Sequence, residues 1–394
     1  MAILIISLET LLLSLLDRKI YGTWYTPTVF LACPYCLVLF LYILFSKNFG
    51  FYSLYSPSVY IWCVGLLIYW FIGYLFAVLV LKKNVVREFP FYQDVRFEKW
   101  IFILCFILAV FININIIYAS KFIAPIGSDY FKDYIGTGVV AHIAIFLRFT
   151  ILYIIMVKNI PSRIYIYMKW FIVLTVFFQA IVYTTKGALI ILIMSVILSC
   201  KIYSNSKIKI RYILVALISS LFIFFISYSI VFGEAAPLDF IYNHTYFYFV
   251  SSIASLSNYC MNDYQIGIAP EVLFMPIINL YNKLMGLPLE KVYSDLWTDV
   301  GPGLQSNVKT FFGTIYIYGG LWGGILTIII YSLVAHVLLI FSLYRNYFFY
   351  FAYCLCLSAL ALGWFDLFFN MIAFYEYIVF AILISILFSI KKHV

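Results

Sequence analysis

Residues 59–81 read VYIWCVGLLIYWFIGYLFAVLVL, an apolar run without a single charged side chain. The hydrocarbon core of a bilayer is about 30 Å thick, and an α-helix needs roughly 20 such residues to cross it. Similar runs recur along the chain, which is 66% hydrophobic and 10% charged, whereas ordinary soluble domains carry about 25% charged residues. The sequence therefore predicts an all-α, polytopic integral membrane protein.

The apolar runs predict about 11 transmembrane helices in a single membrane domain, 1–394. The first run is short for a bilayer, and run 311–341 is long enough to be tilted or to begin as an interfacial helix. The predicted spans are residues 3–16, 28–46, 59–81, 100–118, 139–157, 169–185, 187–203, 212–232, 311–341, 347–364 and 372–390.

The basic residues alternate between crowded and sparse loops. Cytoplasmic loops of membrane proteins carry the excess of Lys and Arg, so we assign the crowded loops to the cytoplasm. The C-terminus is then cytoplasmic, and residues 233–310 form one large loop outside. The net charge of +9 therefore follows from membrane topology and predicts no nucleic-acid partner. The crowded set is Arg18, Lys19, Lys82, Lys83, Arg87, Arg96, Lys99, Lys158, Arg163, Lys169, Lys201, Lys207, Lys209, Arg211, Arg345, Lys391 and Lys392.

The large loop is itself partly apolar. It begins with the aromatic run 246–249, YFYF, and contains an apolar stretch around 270–284. That stretch is too short to span a bilayer and too apolar to extend into water. We expect it to lie on the outer membrane surface or to dip into a cavity.

Lys186 separates two apolar runs with almost no loop between them. The small residues Gly187 and Ala188 follow it, and they let a bulky anion approach the backbone. We predict that Lys186 binds a lipid-linked phosphate or diphosphate. The alternative is a lysine that snorkels to the headgroups.

Arg148 lies near the middle of span 139–157. A central arginine costs roughly 2.5–3.5 kcal/mol on insertion scales, so it needs a polar cavity or a partner. Two interpretations remain open. Arg148 either faces a polar cavity or is one half of an ion pair inside the bundle, with Asp366 or Glu376 as its partner.

Two residues of the large loop are candidate catalytic bases. His244 can accept a proton from a sugar hydroxyl near neutral pH, and its alternative role is interfacial packing. Asp299 and Asp295 are the alternative carboxylate bases. A single histidine and scattered acids do not have metal-ligand spacing, so no metal site is predicted.

Residues 306–310, SNVKT, close the loop before the next span. Asn307, Lys309 and Thr310 together offer several hydrogen-bond donors at the bilayer surface. The alternative is that this segment is only an interfacial anchor. The run 318–324, YGGLWGG, follows. Its pairs Gly319/Gly323 and Gly320/Gly324 are predicted to allow close helix packing and not to bind phosphate.

Four features together resemble the Wzy-type O-antigen (oligosaccharide repeat unit) polymerases. They are the opening hairpin 16–27, LDRKIYGTWYTP; the turn 184–187, TTKG; the large loop with its aromatic start; and 306–310 followed by the glycine-rich span. Lys186 stands where related enzymes commonly have arginine. A lysine is a point charge and cannot bind a diphosphate in a bidentate manner.

The resemblance implies a GT-C-like membrane fold and glycosyl transfer at the periplasmic face of the bacterial inner membrane. A glycan on undecaprenyl diphosphate would be transferred to a lipid-linked repeat unit, with His244 or Asp299 as base. Lys186, Arg148, Lys309 and Asn307 would hold the diphosphate. No cofactor is implied, because the sugar is already activated. A Wzz-type chain-length regulator and a Wzx-type flippase are the implied partners.

Two other functions remain open. An O-antigen ligase, which transfers the finished glycan to lipid A-core, has nearly the same topology and charge pattern. A flippase or other transporter of lipid-linked oligosaccharides is the alternative from a different class. Transporters often show internal repeats, and this sequence shows none.

Overall fold

The structure, a computed structural model, describes residues 2–80, 95–183, 186–203, 222, 238–262, 264–290, 296–343 and 347–393. This part of the chain is helical apart from a hairpin of two short strands, β1 Thr298–Gly301 and β2 Leu304–Ser306. The predicted span 212–232 lies outside the described residues, except for position 222. The helices are α1 Ala2–Tyr21, α2 Pro27–Phe45, α3 Pro57–Val80, α4 Lys99–Phe122, α5 Asp129–Gly136, α6 Gly138–Met156, α7 Arg163–Val182, α8 Lys186–Tyr203, α9 Leu238–Met261, α10 Met275–Leu284, α11 Phe311–Leu343, α12 Tyr347–Ala361 and α13 Ile372–His393.

Six of the described helical segments are long and apolar enough to cross a membrane. They confirm the prediction of an all-α protein with several membrane-spanning helices. The six are Pro27–Phe49, Pro57–Val80, Lys99–Phe122, Gly138–Met156, Arg163–Val182 and Phe311–Leu343.

The first helix is longer than the predicted span 3–16, because it continues to Tyr21. Thr10, Ser14 and Asp17 are buried, whereas the leucines at positions 4, 8, 11, 12 and 15 are exposed. Polar residues of membrane helices normally face the bundle interior, and α1 follows that rule. The prediction ended this span at residue 16, where the charged residues Asp17, Arg18 and Lys19 begin.

The segment predicted as a large loop is not a loop throughout. Helix α9 covers 24 of its residues and includes the aromatic run. A face of serines and asparagine packs inward on this helix, with Ser251, Ser252, Ser255 and Asn258 all buried. The apolar stretch forms a short 3-10 turn, Pro270–Phe274, and then α10, whose exposed side carries Ile277, Leu280, Tyr281 and Leu284.

The chain forms two compact units, each assembled from separate segments of sequence. The first comprises Met1–Glu88, Asn243–Ile340 and Cys356–Tyr375. The second comprises Phe89–Tyr242, Phe341–Leu355 and Glu376–Val394. Helices α1, α2 and α3 pack together in the first unit, and α4, α6 and α7 pack together in the second.

Helix α11 is broken at Gly320, which has φ 63° and ψ −159°. This conformation is essentially restricted to glycine. An ideal Cβ on Gly324 would lie 3.5 Å from the Ile315 Cγ2 atom, although nine residues of straight helix would separate them by about 13.5 Å. The helix therefore folds back on itself, as two arms of residues 311–319 and 321–343.

The end of the first arm is capped by a neighbouring segment. The Gly267 amide donates to the Ile317 carbonyl at 2.7 Å, and the Ala269 amide donates to the Tyr318 carbonyl at 3.4 Å. The last carbonyls of a helix need partners of this kind when water is excluded. The break is therefore an integrated part of the fold.

Helix α3 packs against both arms of α11 through glycines. An ideal Cβ on Gly65 would lie 2.5 Å from the Phe312 ring, and one on Gly73 would overlap the His336 ring. The Ser332 hydroxyl also donates to the Tyr69 carbonyl at 2.6 Å. Small residues on α3 thus allow the broken helix to approach closely.

The glycine run of α11 yields a prediction about stability. An ideal Cβ on Gly319 would lie 2.8 Å from the Gly324 nitrogen, whereas one on Gly323 would meet nothing within 4 Å. The predicted role of Gly323 in close packing is therefore wrong. We expect Gly319→Ala to lower stability by about 1–3 kcal/mol, because the added methyl overpacks the fold-back.

Gly323→Ala is the matched control and should unfold at the wild-type temperature or slightly above it. Thermal unfolding of the purified proteins in one detergent measures both variants. Equal melting temperatures for the two variants would contradict a tight fold-back at Gly320.

Candidate functional site

Lys309 lies in the short connection between β2 and α11, and its side chain is only 1% exposed. Its ammonium group donates to the Leu296 carbonyl at 3.0 Å and to the Ser306 carbonyl at 3.3 Å. A buried lysine is rare unless it is paired. The side chain is therefore held in place by backbone oxygens on two sides.

Thr310 follows Lys309 and has a φ of 67°. Among the described residues it is the one that has a positive φ without being a glycine. A β-branched residue in this conformation is an outlier that costs about 1–3 kcal/mol. Its hydroxyl accepts from the Gly313 amide at 3.2 Å, and its own amide donates to the Phe365 carbonyl at 3.2 Å. The strained residue thus starts α11 and ties it to the turn after α12.

Asp366 lies in that turn, beside the start of α11. Its Oδ1 atom accepts from the Thr314 hydroxyl at 3.1 Å and from the Leu367 amide at 2.7 Å. Burial raises the pKa of the Asp366 carboxyl to about 6, while its two hydrogen bonds and the nearby charge of Lys309 oppose the shift. Burial lowers the pKa of Lys309 to about 7, although Asp366 opposes that shift.

The charges of Lys309 and Asp366 affect each other, but the two side chains do not form a direct ion pair. No ion pair between them within 4.0 Å occurs in the described chain. Two opposite charges in a dry environment attract strongly, but their desolvation offsets much of that gain. A proton donor and a proton acceptor that both titrate near neutrality, on the strained entrance to a helix, are typical of a functional site.

The polar face of α9 supports this site. The Ser252 hydroxyl donates to the Trp364 carbonyl at 2.6 Å, and the Ser255 hydroxyl donates to the Ser306 carbonyl at 3.4 Å. Farther along the helix, the Asn258 amide donates to the Asp299 carbonyl at 2.6 Å. Helix α9 therefore holds both the turn that bears Asp366 and the hairpin that precedes Lys309.

His244 lies on the same helix but at a distance from these contacts. Eleven residues separate it from Ser255, which is about 16 Å along the helix axis. Its ring stacks on Phe247 at 5.6 Å and meets Tyr248 edge-on at 5.2 Å. The Tyr248 ring in turn stacks on Phe365 at 6.0 Å. His244 is thus linked to the Asp366 turn through aromatic rings.

Asp299 and Asn307 are both exposed, on and just after the hairpin. The Asp299 carboxylate accepts from the Gln305 amide at 2.9 Å, across the antiparallel pair of β1 and β2. Asp299 and Asn307 lie in the same short segment as Lys309, but their side chains are exposed whereas that of Lys309 is buried. Asp295 lies outside the described residues.

Arg148 is buried in α6 of the second unit, at 8% exposure. Its Nη2 atom donates to the Gln179 Oε1 atom at 2.7 Å, and its Nε atom has no hydrogen-bond partner. The predicted partner Glu376 instead lies 2.5 Å from the His142 Nδ1 atom. The predicted partner Asp366 accepts from Thr314, so both proposed ion pairs of Arg148 are wrong.

Lys186 begins α8, also in the second unit. Its side chain lies outside the described part of the chain, so its predicted contact to a phosphate stays a prediction. No group of three His, Cys, Asp or Glu side chains that could hold a metal ion occurs among the described residues.

Among known protein families, the model of a family of unknown function, DUF6337, matches residues 50–394. The chain belongs to this family. No curated protein and no solved structure matches it significantly. The matched range includes Lys309, Thr310 and Asp366, and it also includes the broken helix.

Sequence reasoning missed the role of Asp366, which it considered only as a partner of Arg148. The local signal was a single charged residue, Asp366, in the short connection between two apolar runs. The strained backbone of Thr310 was also missed, because no sequence pattern indicates a positive φ at a threonine.

The shifted pKa of Lys309 yields a prediction about stability and pH. Between about 7 and the ordinary lysine value of 10.5, the unfolded chain binds a proton that the native protein does not bind. Stability therefore rises with pH in this window, by up to about 1.4 kcal/mol per pH unit from this group. Below pH 7 both states are protonated, and the full cost of burying the charge remains.

Lys309→Met should remove the contribution of this lysine to the change of the unfolding free energy with pH. The measurement is the free energy of unfolding in detergent at several pH values between 7 and 10, for wild type and variant. The two curves should converge as the pH rises. Parallel curves would show that Lys309 keeps an ordinary lysine pKa in the native protein.

Proposed function

We propose that this protein is a membrane glycosyltransferase of the repeat-unit polymerase type. It acts at the periplasmic face of the bacterial inner membrane, with the C-terminus in the cytoplasm. The observation that carries the proposal is the buried Lys309 within electrostatic reach of the Asp366 carboxylate, at the strained start of α11. One group can accept a proton, and the other can stabilise a leaving anion.

In this proposal the acceptor sugar hydroxyl attacks the anomeric carbon of the lipid-linked glycan. A new carbon–oxygen bond forms while the bond from that carbon to the diphosphate breaks. The hydroxyl proton passes to the Asp366 carboxylate, and the diphosphate leaves with the bonding electron pair. Positive charge fixed in advance near the leaving oxygen lowers the barrier most effectively in a water-excluded site.

Lys309 is suited to supply this charge. An arriving diphosphate is a strong anion, and an opposite charge nearby favours the protonated amine. Substrate binding therefore raises the pKa of Lys309 from about 7 and charges the site when it is needed. Asn307 is proposed as a further contact to the diphosphate, and His244 and Asp299 remain the competing bases. Lys186 and Arg148, which belong to the second unit, remain separate candidate contacts to a phosphate.

An apolar groove in the first unit supports a lipid-linked substrate. It has a volume of about 270 Å³ and lies between α3 and both arms of α11. Its walls include Val64, Gly65 and Ile68 on one side and Phe312 and Ile315 on the other. Phe312 is three residues from Lys309, so a polyprenyl chain in this groove would place its diphosphate near the start of α11.

We propose a GT-C-like arrangement of the membrane helices and an undecaprenyl diphosphate carrier. A Wzz-type chain-length regulator and a Wzx-type flippase are the partners that such an enzyme would need. The flippase would supply the substrate, and the regulator would limit the length of the product.

Replacing Asp366 tests the proposed base. In Asp366→Asn the side-chain oxygen can still accept from Thr314 and Leu367, so the fold should be retained. The proton acceptor is lost, and we expect product formation to fall by about 100-fold or more. The assay is purified protein with one defined lipid-linked repeat unit, observed as a ladder of longer glycans.

Glu271→Gln, at an exposed acid of the same unit, is the control and should leave the ladder unchanged. Full activity in Asp366→Asn, with loss in His244→Gln or Asp299→Asn, would transfer the role of base to that residue. Wild-type protein that forms no ladder under any condition would refute the polymerase.

A second candidate function is transport of the lipid-linked oligosaccharide. The observation that favours it is the break in α11, because discontinuous membrane helices form the substrate sites of many transporters. The ends of such half-helices carry unpaired backbone groups and helix dipoles.

Deleting the gene in its host distinguishes these functions. Loss of a polymerase should leave lipopolysaccharide with a single repeat unit. Loss of a ligase should remove the glycan and accumulate lipid-linked polymer. Accumulation of single lipid-linked units on the cytoplasmic side would favour the transporter and contradict both enzymes.

A further inference from the structure

A second buried polar cluster lies in the first unit and is not used by the proposed transfer reaction. It is centred on Asp17, near the C-terminal end of α1, and this side chain is 1% exposed. The side chains of Thr26, Thr28 and Trp70 lie beside its carboxylate. Three helices, α1, α2 and α3, therefore surround one acidic group.

The cluster is incomplete as a hydrogen-bond network. Asp17 Oδ2, Thr28 Oγ1 and Trp70 Nε1 are all buried, and none of them has a hydrogen-bond partner in the structure. Orphaned buried polar atoms are uncommon in native proteins and usually indicate an internal water or ion. Two of them, on Thr28 and Trp70, flank the third, which is an oxygen of the Asp17 carboxylate.

The chemistry of these atoms selects the occupant. The indole Nε1–H group of Trp70 can only donate a hydrogen bond, so it would repel a metal cation. A water molecule can accept from Trp70 and donate to Asp17, and it can bond to the Thr28 hydroxyl in either direction. Two to four polar partners are what an internal water requires.

The charge on Asp17 is not compensated by a cation. The adjacent Arg18 guanidinium stacks over the Trp24 ring, 4.7 Å from its centre. No ion pair of Asp17 within 4.0 Å occurs in the described chain. An isolated carboxylate in such a place is costly, and the protonated acid avoids that cost.

The titratable groups that face Asp17 are neutral side chains. Tyr21 and Tyr69 lie within its electrostatic range, and the Tyr21 hydroxyl donates to the Gly73 carbonyl at 3.0 Å. The His336 ring stacks on Tyr21 at 5.9 Å and contacts Tyr69 at 5.7 Å. Cys356 lies near Tyr69, while α2 presents two threonines that do not titrate.

Two of these aromatic residues also carry buried polar atoms that lack a hydrogen-bond partner. The Tyr69 hydroxyl and the His336 Nε2 atom are also buried without a hydrogen-bond partner. Polar atoms that need water therefore extend from α1 across α3 to the second arm of α11.

We propose that Asp17 is a proton-binding site, held as a carboxylic acid and bridged by an internal water to Thr28 and Trp70. The ligand is a proton, which leaves through this water and returns by the same path. Ionisable acids in membrane helices commonly mark proton relays. The site is independent of glycosyl transfer, so it can be tested without an activity assay.

The test is infrared spectroscopy of the purified protein in detergent during a pH titration. Among the carboxylic acid C=O bands of the wild type, one should disappear in Asp17→Asn. Thr28→Val and Trp70→Phe should shift that band, because each removes one partner of the bridging water. Glu9→Gln, at a second acid of the same helix, is the matched control and should leave the band in place.

Several outcomes would overturn the proposal. A spectrum that is identical in wild type and Asp17→Asn would mean that Asp17 is ionised. Its role would then be to hold the start of α2 in place. A band that Thr28→Val and Trp70→Phe both leave unshifted would exclude the bridging water. A band that changes with sodium concentration at constant pH would identify a cation site instead. Melting temperatures of all variants show whether each spectrum reports on a folded protein.

Discussion

The ammonium group of Lys309 is buried where water cannot solvate it, and the local structure of the first unit follows from that constraint. Two backbone carbonyls, of Leu296 and Ser306, bond it directly. Those carbonyls are available because the hairpin of β1 and β2 turns back immediately before α11. Helix α9 in turn holds the hairpin through Asn258. A buried charge of this kind costs several kcal/mol, and only a rigid surrounding structure can sustain it.

The fold was predictable where it depends on long apolar runs. Spans such as 59–81 and 100–118 correspond to α3 and α4 within a few residues, because hydropathy and helix length are coupled by the thickness of the bilayer. Helix α9 was not predicted, because its inward face consists of serine and asparagine side chains that bond to neighbouring backbone. From composition alone, a segment with such a face is predicted to be a solvated loop.

The candidate site was predictable only in part, for a related reason. Lys309 was identified from its position next to a span, and its role depends on burial that the sequence does not reveal. Asp366 is about 57 residues away along the chain and comes close only through tertiary packing. The hydrogen bond from Thr314 to Asp366 requires that α11 start at the strained Thr310. Glycine pairs likewise predicted close packing, but only the backbone geometry distinguishes Gly319, which is crowded, from Gly323, which is open.

Two buried ionisable residues, Arg148 and Lys309, show different solutions to the same problem. Arg148 cannot lose its proton, and one amide oxygen bonds its guanidinium while Nε remains unpaired. Lys309 can lose its proton, and its pKa lies close to neutrality beside Asp366. A residue that must stay charged can orient or bind an anion, whereas a residue that titrates near neutrality can also change its charge during a reaction. This difference is why Lys309 and Asp366, and not Arg148, are the centre of the proposed chemistry.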